Sequence, residues 1–297
     1  MLQLQERLKS HIKLNNLRHN EVSKAIGYSE TSLSQWLSGS YKADTKGIDE
    51  NIFAYLEREE AREKEVVKNP NTVVTNAVNI LFDSAKLSHL DKRMRVICGE
   101  AGIGKTTAIK EYEKANTGVI IINSNITISP KKLCKLFYEK LGIAGSSHTG
   151  DMLDEIILKL KDTDKLVIID EAEYLPYKAL EIIRTIYNEC NIGILLVGTP
   201  DLYYNLRGQK NQHSMLWSRV TRADFLKELT LKETESIVKQ YFTEIDKEVV
   251  KEFHNLSEGN TRTLINLIVN TFTLTTRTGH KINKTMIKIA IQGSMKE

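Results

Sequence analysis

The 297-residue chain has few of the residues that cross-link or interrupt a fold, with three cysteines, four prolines and two tryptophans. The cysteines, at positions 98, 134 and 190, are widely spaced and form no C-x-x-C pair. We therefore expect reduced, buried thiols and neither a disulfide framework nor a metal site. The scarcity of proline predicts a mostly helical chain. Because no apolar run approaches a membrane span and the N-terminus is charged and amphipathic, we expect a cytoplasmic protein without a membrane partner.

Charge of one sign is not in large excess either. The net charge is +4, and hydrophobic residues make up 41% of the chain, as in an ordinary globular protein. This small positive excess permits a polyanionic partner without requiring one. At this length the chain can form two or three domains, each with its own core.

The most distinctive stretch is RMRVICGEAGIGKTTAI, which contains the pattern G-x-x-x-x-G-K-T between an apolar run and a helix-forming segment. This is the context of a phosphate-binding P-loop, in which backbone N–H groups and a helix N-terminus hold a polyphosphate. Lys105 is suited to the β- and γ-phosphates of ATP, and the Thr106 hydroxyl to Mg²⁺. A chance glycine loop is the alternative. The nucleotide-binding candidates are Gly99, Glu100, Ala101, Gly102, Ile103, Gly104, Lys105, Thr106 and Thr107.

Apolar runs alternate with helical patterns after the P-loop, which predicts a parallel α/β sheet. One run, KLVII, ends in Asp170 and Glu171. A strand here would bring Asp170 to the carboxyl edge of the sheet, where it can support the Mg²⁺ held by Thr106. Glu171 is then placed to polarise a water aimed at the γ-phosphate. An isolated Asp-Glu pair is usually a solvated strand end, but its occurrence with a P-loop favours the functional interpretation.

A third run, GILLV, leads to Thr199, a candidate for contacting the γ-phosphate or orienting water, although a simple strand-to-loop turn is the alternative. The segment NLRGQKNQHSMLWSRVTR that follows is predicted to be a basic loop. Arg207 and Lys210 in it are either DNA contacts or solvated charges. Arg219 is a candidate arginine finger for the ATP of a neighbouring subunit. From Leu226 onward the pattern is helical, as in a small lid that brings an arginine, here Arg262, to the nucleotide.

The first sixty residues include EVSKAIGYSETSLSQWLSG, which predicts a helix-turn-helix. In this interpretation Ala25 lies where the two helices approach, Gly27 lies at the turn, and Ser29 caps the second helix. The second helix would present short polar side chains to a major groove, whereas a small protein-interaction domain is the alternative. The DNA-binding candidates are Thr31, Ser32, Ser34 and Gln35, together with Lys131, Lys132, Arg207 and Lys210 elsewhere in the chain.

These patterns predict four segments. They are a helix-turn-helix domain (1–60), a solvated linker (61–71), an α/β ATPase core (72–225) and a helical lid (226–297). The predicted fold class is therefore α/β, with a parallel sheet and a helical lid, preceded by an all-α domain.

The segments GEAGIGKT, LVIIDEAEYL, ILLVGT, LWSRV and GNTR, in this order, resemble the AAA+ ATPases. With the N-terminal helix-turn-helix added, the chain is similar to the family of phage Mu B transposition proteins. The resemblance implies ATP and Mg²⁺ as cofactors and Asp170 and Glu171 as the Walker B pair. It also implies Thr199 at the sensor-1 position, Arg219 as a finger acting in trans and Arg262 as sensor 2. Much of the AAA+ class has asparagine at sensor 1, so Thr199 departs from the pattern.

The resemblance further implies a homo-oligomer, a helical filament or a ring, that assembles on duplex DNA when ATP is bound. Such a protein selects target DNA, delivers it to a transposase and stimulates strand transfer, and ATP hydrolysis drives disassembly. Two other functions are open on the sequence alone. One is a helix-turn-helix transcription regulator with an ATPase switch, and the other is a replication initiator or helicase loader.

Overall fold

The computed structural model describes residues 2–41, 44–65, 73–145, 148–208 and 214–294. The chain divides into two compact units, Met1–Asn69 and Pro70–Glu297. Among the described residues, the first unit has one hydrophobic core and the second has three.

The described part of the N-terminal unit consists of four helices, α1 (Leu2–Leu14), α2 (His19–Ile26), α3 (Glu30–Ser38) and α4 (Lys46–Glu65). Their shared core includes Trp36, which is 1% exposed and donates from Nε1 to Oδ1 of Asp49 at 2.7 Å. α4 continues to Glu65, into the segment predicted as a linker, because mixed-sign charges at helical spacing are compatible with a solvated helix. Residues 66–71 of that predicted linker lie outside the described residues.

The turn between α2 and α3 has the predicted chemistry. Gly27 ends α2 with a φ of +76°, a conformation that favours glycine, and the Ser29 hydroxyl accepts from the backbone N–H of Ser32 at 3.0 Å. The prediction that Ala25 lies between the helices is wrong, since Ala25 is exposed. The buried small residue is Ser23, whose hydroxyl donates to the Asn20 carbonyl and is thereby satisfied.

The second unit contains a five-stranded parallel sheet in the order β2-β3-β4-β1-β5. The strands are β1 (Met94–Cys98), β2 (Val119–Asn123), β3 (Leu166–Asp170), β4 (Gly193–Gly198) and β5 (Val220–Phe225). The helices around it are α5 (Asn76–Asp91), α6 (Lys105–Ala115), α7 (Pro130–Leu141), α8 (Thr149–Leu160), α9 (Tyr177–Cys190), α10 (Pro200–Arg207) and α11 (Ser214–Trp217). Because all strands run in one direction, their carboxyl ends meet at the same edge, as parallel sheets require.

The interior of the sheet follows from the near-continuous apolar sequences of its central strands. β3 and β4 are buried throughout and pack into two clusters, one of which includes Phe137 and Ile183 and the other Leu81 and Ile109. Strands covered on both faces have this composition. The three cysteines are buried and free, as predicted.

The prediction of a basic loop after Thr199 is wrong for much of the segment. The segment begins within α10, contains α11 and ends in β5. β5 escaped detection because it is an edge strand with a partly exposed, polar sequence, VTRADF, and lacks the apolar run of the central strands. Residues 209–213 lie outside the described residues.

Four helices follow the sheet, α12 (Leu231–Val238), α13 (Lys247–Ser257), α14 (Thr261–Thr278) and α15 (Lys284–Ser294). They share a core that includes Phe253, Leu264 and Ile287, and we call them the lid. Thr230 and Glu233 form a capping box at the start of α12. None of the helices in the described ranges is long and apolar enough to span a membrane.

Candidate nucleotide-binding site

The P-loop joins the end of β1 to the start of α6. Gly102 and Gly104 have φ values of +84° and +103°, which only glycine adopts without strain. The loop curls around Lys105, whose Nζ donates to the carbonyls of Gly99 at 2.5 Å and Glu100 at 3.0 Å. Its shape places the N-terminus of the 11-residue α6 beside the lysine, and both features favour an anion.

A hydroxyl and a carboxylate meet beside the P-loop. Thr106 Oγ1 donates to Asp170 Oδ2 at 2.6 Å, and the other oxygen of Asp170 accepts from the backbone N–H of Glu171 at 3.0 Å. Asp170 is the last residue of β3 and is 2% exposed, whereas Glu171 is exposed and has a φ of +54°. Hard oxygen donors of this kind suit Mg²⁺, and the assignment of Thr106 and Asp170 to the metal stays a prediction.

One cavity of about 490 Å³ gathers the predicted residues from four separate segments of sequence. This volume is in the range of small-molecule sites. The predicted residues that line it are Ala101, Gly102, Gly104, Lys105, Thr106, Thr107, Asp170, Glu171, Thr199 and Arg262. Gly99, Glu100 and Ile103 are not among the lining residues. Gly99 lies against Leu226, Ile103 is only 4% exposed, and the Glu100 carbonyl accepts from Lys105 Nζ.

Lys105 is the charged centre of this cavity. Burial lowers the pKa of its ammonium group, and the carboxylates of Glu173, Asp170 and Glu100 act in the opposite direction. A cation surrounded by polar oxygens is suited to receiving phosphate oxygens. The thiol of Cys98 lies close by, but burial raises its pKa to about 11, so it stays protonated at neutral pH.

The lid contacts the P-loop through three consecutive residues. Asn260 Nδ2 donates to the Ala101 carbonyl at 2.6 Å, the Arg262 N–H donates to the Gly102 carbonyl at 3.0 Å, and the Thr261 hydroxyl donates to the Ile103 carbonyl at 3.3 Å. Asn260 also caps α14, since its Oδ1 accepts from the N–H of Thr263. The start of α14 is therefore anchored to the loop that carries Lys105.

Comparison with known proteins supports the architecture. A family model described as AAA domain matches residues 89–206. The chain aligns with the ORC2 protein of Aeropyrum pernix at a TM-score of 0.58 and 17% identity, covering 78% of this chain and 71% of that one. It aligns with domain III of DnaA from Thermotoga maritima at 0.52 and 17%, covering 77% of this chain and all of that one. The chain has an AAA+ fold.

The chain also resembles the Mu B transposition proteins. It is 28% identical over 261 residues to the "Mu-like prophage FluMu DNA transposition protein B" of Haemophilus influenzae, covering 85% of this chain and 90% of that protein. It is also 28% identical over 211 residues to the "ATP-dependent target DNA activator B" of Escherichia phage Mu, covering 68% of this chain and 66% of that protein. The resemblance inferred from the motifs is confirmed.

Several residues of the cavity were not predicted from the sequence, namely Glu173, Tyr174, Thr261, Ile265 and Asn266. Ile265 and Asn266 follow Arg262 by three and four positions on α14, so they share its helical face. Helical spacing counted from Arg262 would have found them. Glu173 is a third acid in the sequence DEAE, and only its position in the fold distinguishes it from a solvated charge.

Arg219 does not line the cavity of its own chain. It is exposed, and its Nε donates to Asn188 Oδ1 at 2.9 Å.

Arg207, a DNA-binding candidate, lies over two aromatic rings, with Cζ 5.6 Å from the centroid of Tyr203 and 5.9 Å from that of Trp217. This cation–π contact orders the exposed guanidinium on α10. Lys210 lies outside the described residues.

The other DNA-binding candidates lie on two helices. On α3, Thr31, Ser34 and Gln35 are exposed, whereas Ser32 is half-buried and shares a hydrogen bond of 2.8 Å with the Ser29 hydroxyl. In the first turn of α7, Lys131 is exposed, and Nζ of Lys132 donates to the Thr127 hydroxyl at 2.6 Å. The roles of all these residues stay predictions.

Proposed function

We propose that this protein is an ATPase that assembles on duplex DNA and presents it as a target to a transposase. The observation that carries the proposal is the single cavity in which Lys105, the Thr106–Asp170 pair and Arg262 meet. This combination matches the needs of a polyphosphate bound with Mg²⁺. The relative named "ATP-dependent target DNA activator" supports the link to DNA and transposition.

In the proposed site, Lys105 and the N-terminus of α6 hold the β- and γ-phosphates, and Arg262 contacts them from the lid. Thr106 and Asp170 would hold Mg²⁺, which neutralises charge on the phosphate oxygens when it is bound. Glu171 accepts a proton from the attacking water, and Thr199 orients that water. All of these residues line the same cavity.

The proposed active form is a homo-oligomer, a filament or a ring, because Arg219 does not line the cavity of its own chain. Its exposed guanidinium suits a contact with the nucleotide of an adjacent subunit, where it would stabilise charge in the transition state. Hydrolysis then weakens the contact between subunits and drives disassembly. Because ATP binding and subunit contact share one site, assembly depends on the nucleotide.

For the DNA contacts we propose the exposed residues of α3 and the basic residues Lys131, Lys132, Arg207 and Lys210. Exposed hydroxyl and amide groups on α3 suit base edges and phosphates. The proposed basic residues are few and would neutralise only a few phosphates. DNA affinity should therefore depend moderately on the salt concentration.

Electron microscopy of the protein with long duplex DNA and a slowly hydrolysed ATP analogue tests this function. We expect continuous, sequence-tolerant coverage by the wild-type protein and none by Lys105→Ala, which loses the cation that holds the phosphates. Lys110→Ala is the matched control, since Lys110 is an exposed lysine on the same helix, α6, and the control should assemble normally.

Unchanged assembly by Lys105→Ala would contradict the proposal. A short, sequence-specific footprint in place of long coverage would favour a transcription regulator. Loading of a helicase, with no effect on strand transfer by a transposase, would favour a replication role.

A further inference from the structure

The single 3₁₀ turn after β3, Ala172–Tyr174, places a third acid in the cavity. Its central residue, Glu173, is held from both sides. The Glu173 carbonyl accepts from Asn205 Nδ2 of α10 at 3.0 Å, and its carboxylate packs so closely on Gly198 that a side chain there would collide with Oε2. The Glu173 side chain is therefore fixed at the end of β4, next to Thr199.

Among the described residues, two that line the cavity each carry a buried oxygen without a hydrogen-bond partner in the protein. The two oxygens are Oε2 of Glu173 and Oγ1 of Thr199. A buried polar atom without a partner destabilises the fold, so two of them on residues that line one cavity indicate a ligand with matching hydrogen-bond groups. Among the nearby carboxylates, Glu173 raises the pKa of Lys105 most, ahead of Asp170.

These observations separate Glu173 from Glu171. Glu171 is exposed at the mouth of the site, whereas Glu173 is half-buried and has one oxygen sealed from solvent. An ionised carboxylate only accepts hydrogen bonds, and a threonine hydroxyl can donate one. A water molecule that donates to the Glu173 carboxylate and accepts from the Thr199 hydroxyl gives both side chains a hydrogen-bond partner.

We propose that Glu173 is a positioning residue for the water that attacks ATP, and that it acts together with Thr199. This inference rests on the proposed ATPase function. The water donates one proton to Glu173 and the other toward Glu171, accepts from the Thr199 hydroxyl, and keeps a lone pair for the γ-phosphorus. As the new P–O bond forms, the bond from that phosphorus to the β–γ bridging oxygen breaks. One proton passes to Glu171, and ADP and inorganic phosphate leave.

Steady-state hydrolysis and direct binding of a fluorescent ATP analogue test the role of Glu173. We expect kcat to fall about tenfold in Glu173→Gln and about 100-fold in Glu173→Ala. ATP affinity should stay equal or rise, because a negative charge beside the phosphates is removed. Glu113→Gln and Glu113→Ala are matched controls, since Glu113 is an exposed acid of α6, and neither variant should change kcat.

A double-mutant cycle with Thr199→Val adds a measurement that a structural role would not move. If both side chains hold the same water, the combined variant should lose less than the product of the two single losses. Multiplicative losses would overturn the shared water. A Glu173→Ala variant with the same kcat as its control would overturn the inference. A variant in which ATP affinity and melting temperature fall together with kcat would also overturn it, because that result indicates a structural role for Glu173. If the wild-type protein itself neither binds nor hydrolyses ATP, the proposed function fails instead.

Discussion

The nucleotide cavity and the exposed face of α3 are built in opposite ways. The cavity combines the P-loop, the ends of β3 and β4 and the start of α14, and the residues of α14 are more than 150 positions from those of the P-loop. The α3 face consists of neighbouring residues on one nine-residue helix, fixed by a serine cap and a glycine stop. We therefore expect the chemistry of the cavity to depend on distant contacts and that of α3 on local ones.

The largest effect is expected from a methyl group placed where the lid contacts the P-loop. It tests whether the cavity depends on contacts between distant segments. At Gly102 a Cβ would lie 2.5 Å from Asn260 Oδ1, and the φ of +84° adds strain for any other residue. We expect Gly102→Ala to lower ATP affinity about tenfold or more, measured by titration of a fluorescent ATP analogue.

Gly142→Ala is the matched control for Gly102→Ala. Gly142 also has a positive φ, +64°, but nothing lies within 4 Å of the added Cβ. If the two variants lower ATP affinity equally, backbone strain and not the contact with the lid accounts for the loss.

A double change on α3 tests the local half of the comparison. We expect Ser34→Ala with Gln35→Ala to weaken binding to duplex DNA about tenfold, because two groups that can reach base edges are lost. Fluorescence anisotropy across several salt concentrations measures the effect. The slope of affinity against salt should not change, since no charge is removed.

The same pair of residue types on another helix of this unit gives the control. Gln3 and Ser10 are exposed on α1, and their replacement by alanine should leave DNA affinity unchanged. ATP hydrolysis without DNA should be equal in both double variants. If the α3 double variant and the α1 double variant bind DNA with equal affinity, α3 is not part of the DNA interface.

The smallest effect is expected at three charged surface residues of the lid that do not line the cavity. Glu248 accepts from Lys251 at 2.7 Å and from Lys284 at 3.0 Å, and these bonds lower its pKa from 4.5 to about 2. A carboxylate with a lowered pKa in the folded state stabilises the fold above pH 4.5, and this contribution disappears as the pH falls through about 2. Because Glu248 is exposed, water and salt weaken both interactions.

We therefore expect Glu248→Gln to lower the melting temperature slightly at pH 7, with the difference from the wild-type protein shrinking below pH 4.5. Thermal melts at several pH values, with the exposed lid acid Glu244 changed to Gln as the control, measure this difference. ATP affinity should not change in either variant. If the difference in melting temperature between Glu248→Gln and the wild-type protein grows as the pH falls, the Glu248 carboxylate does not stabilise the fold in the way assigned here.

Features of the fold that depend on neighbouring residues were predictable. The apolar runs gave the central strands, the serine and glycine signals gave the turn between α2 and α3, and the G-x-x-x-x-G-K-T pattern gave the loop around Lys105. The edge strand β5 and the exposure of Ala25 were not predictable in this way. Burial of an edge strand and contact between two helices depend on partners that lie elsewhere in the sequence.

The sequence by itself determined that this protein contains a P-loop, acids at the end of a buried strand and an arginine at the start of a lid helix, because each is a local pattern with its own chemistry. Only the tertiary structure decided that Asn260 anchors the loop and that Glu173, not a solvated acid, faces the cavity beside Thr199. The physical reason is that burial and hydrogen-bond satisfaction are set by packing between segments, which neighbouring residues do not encode.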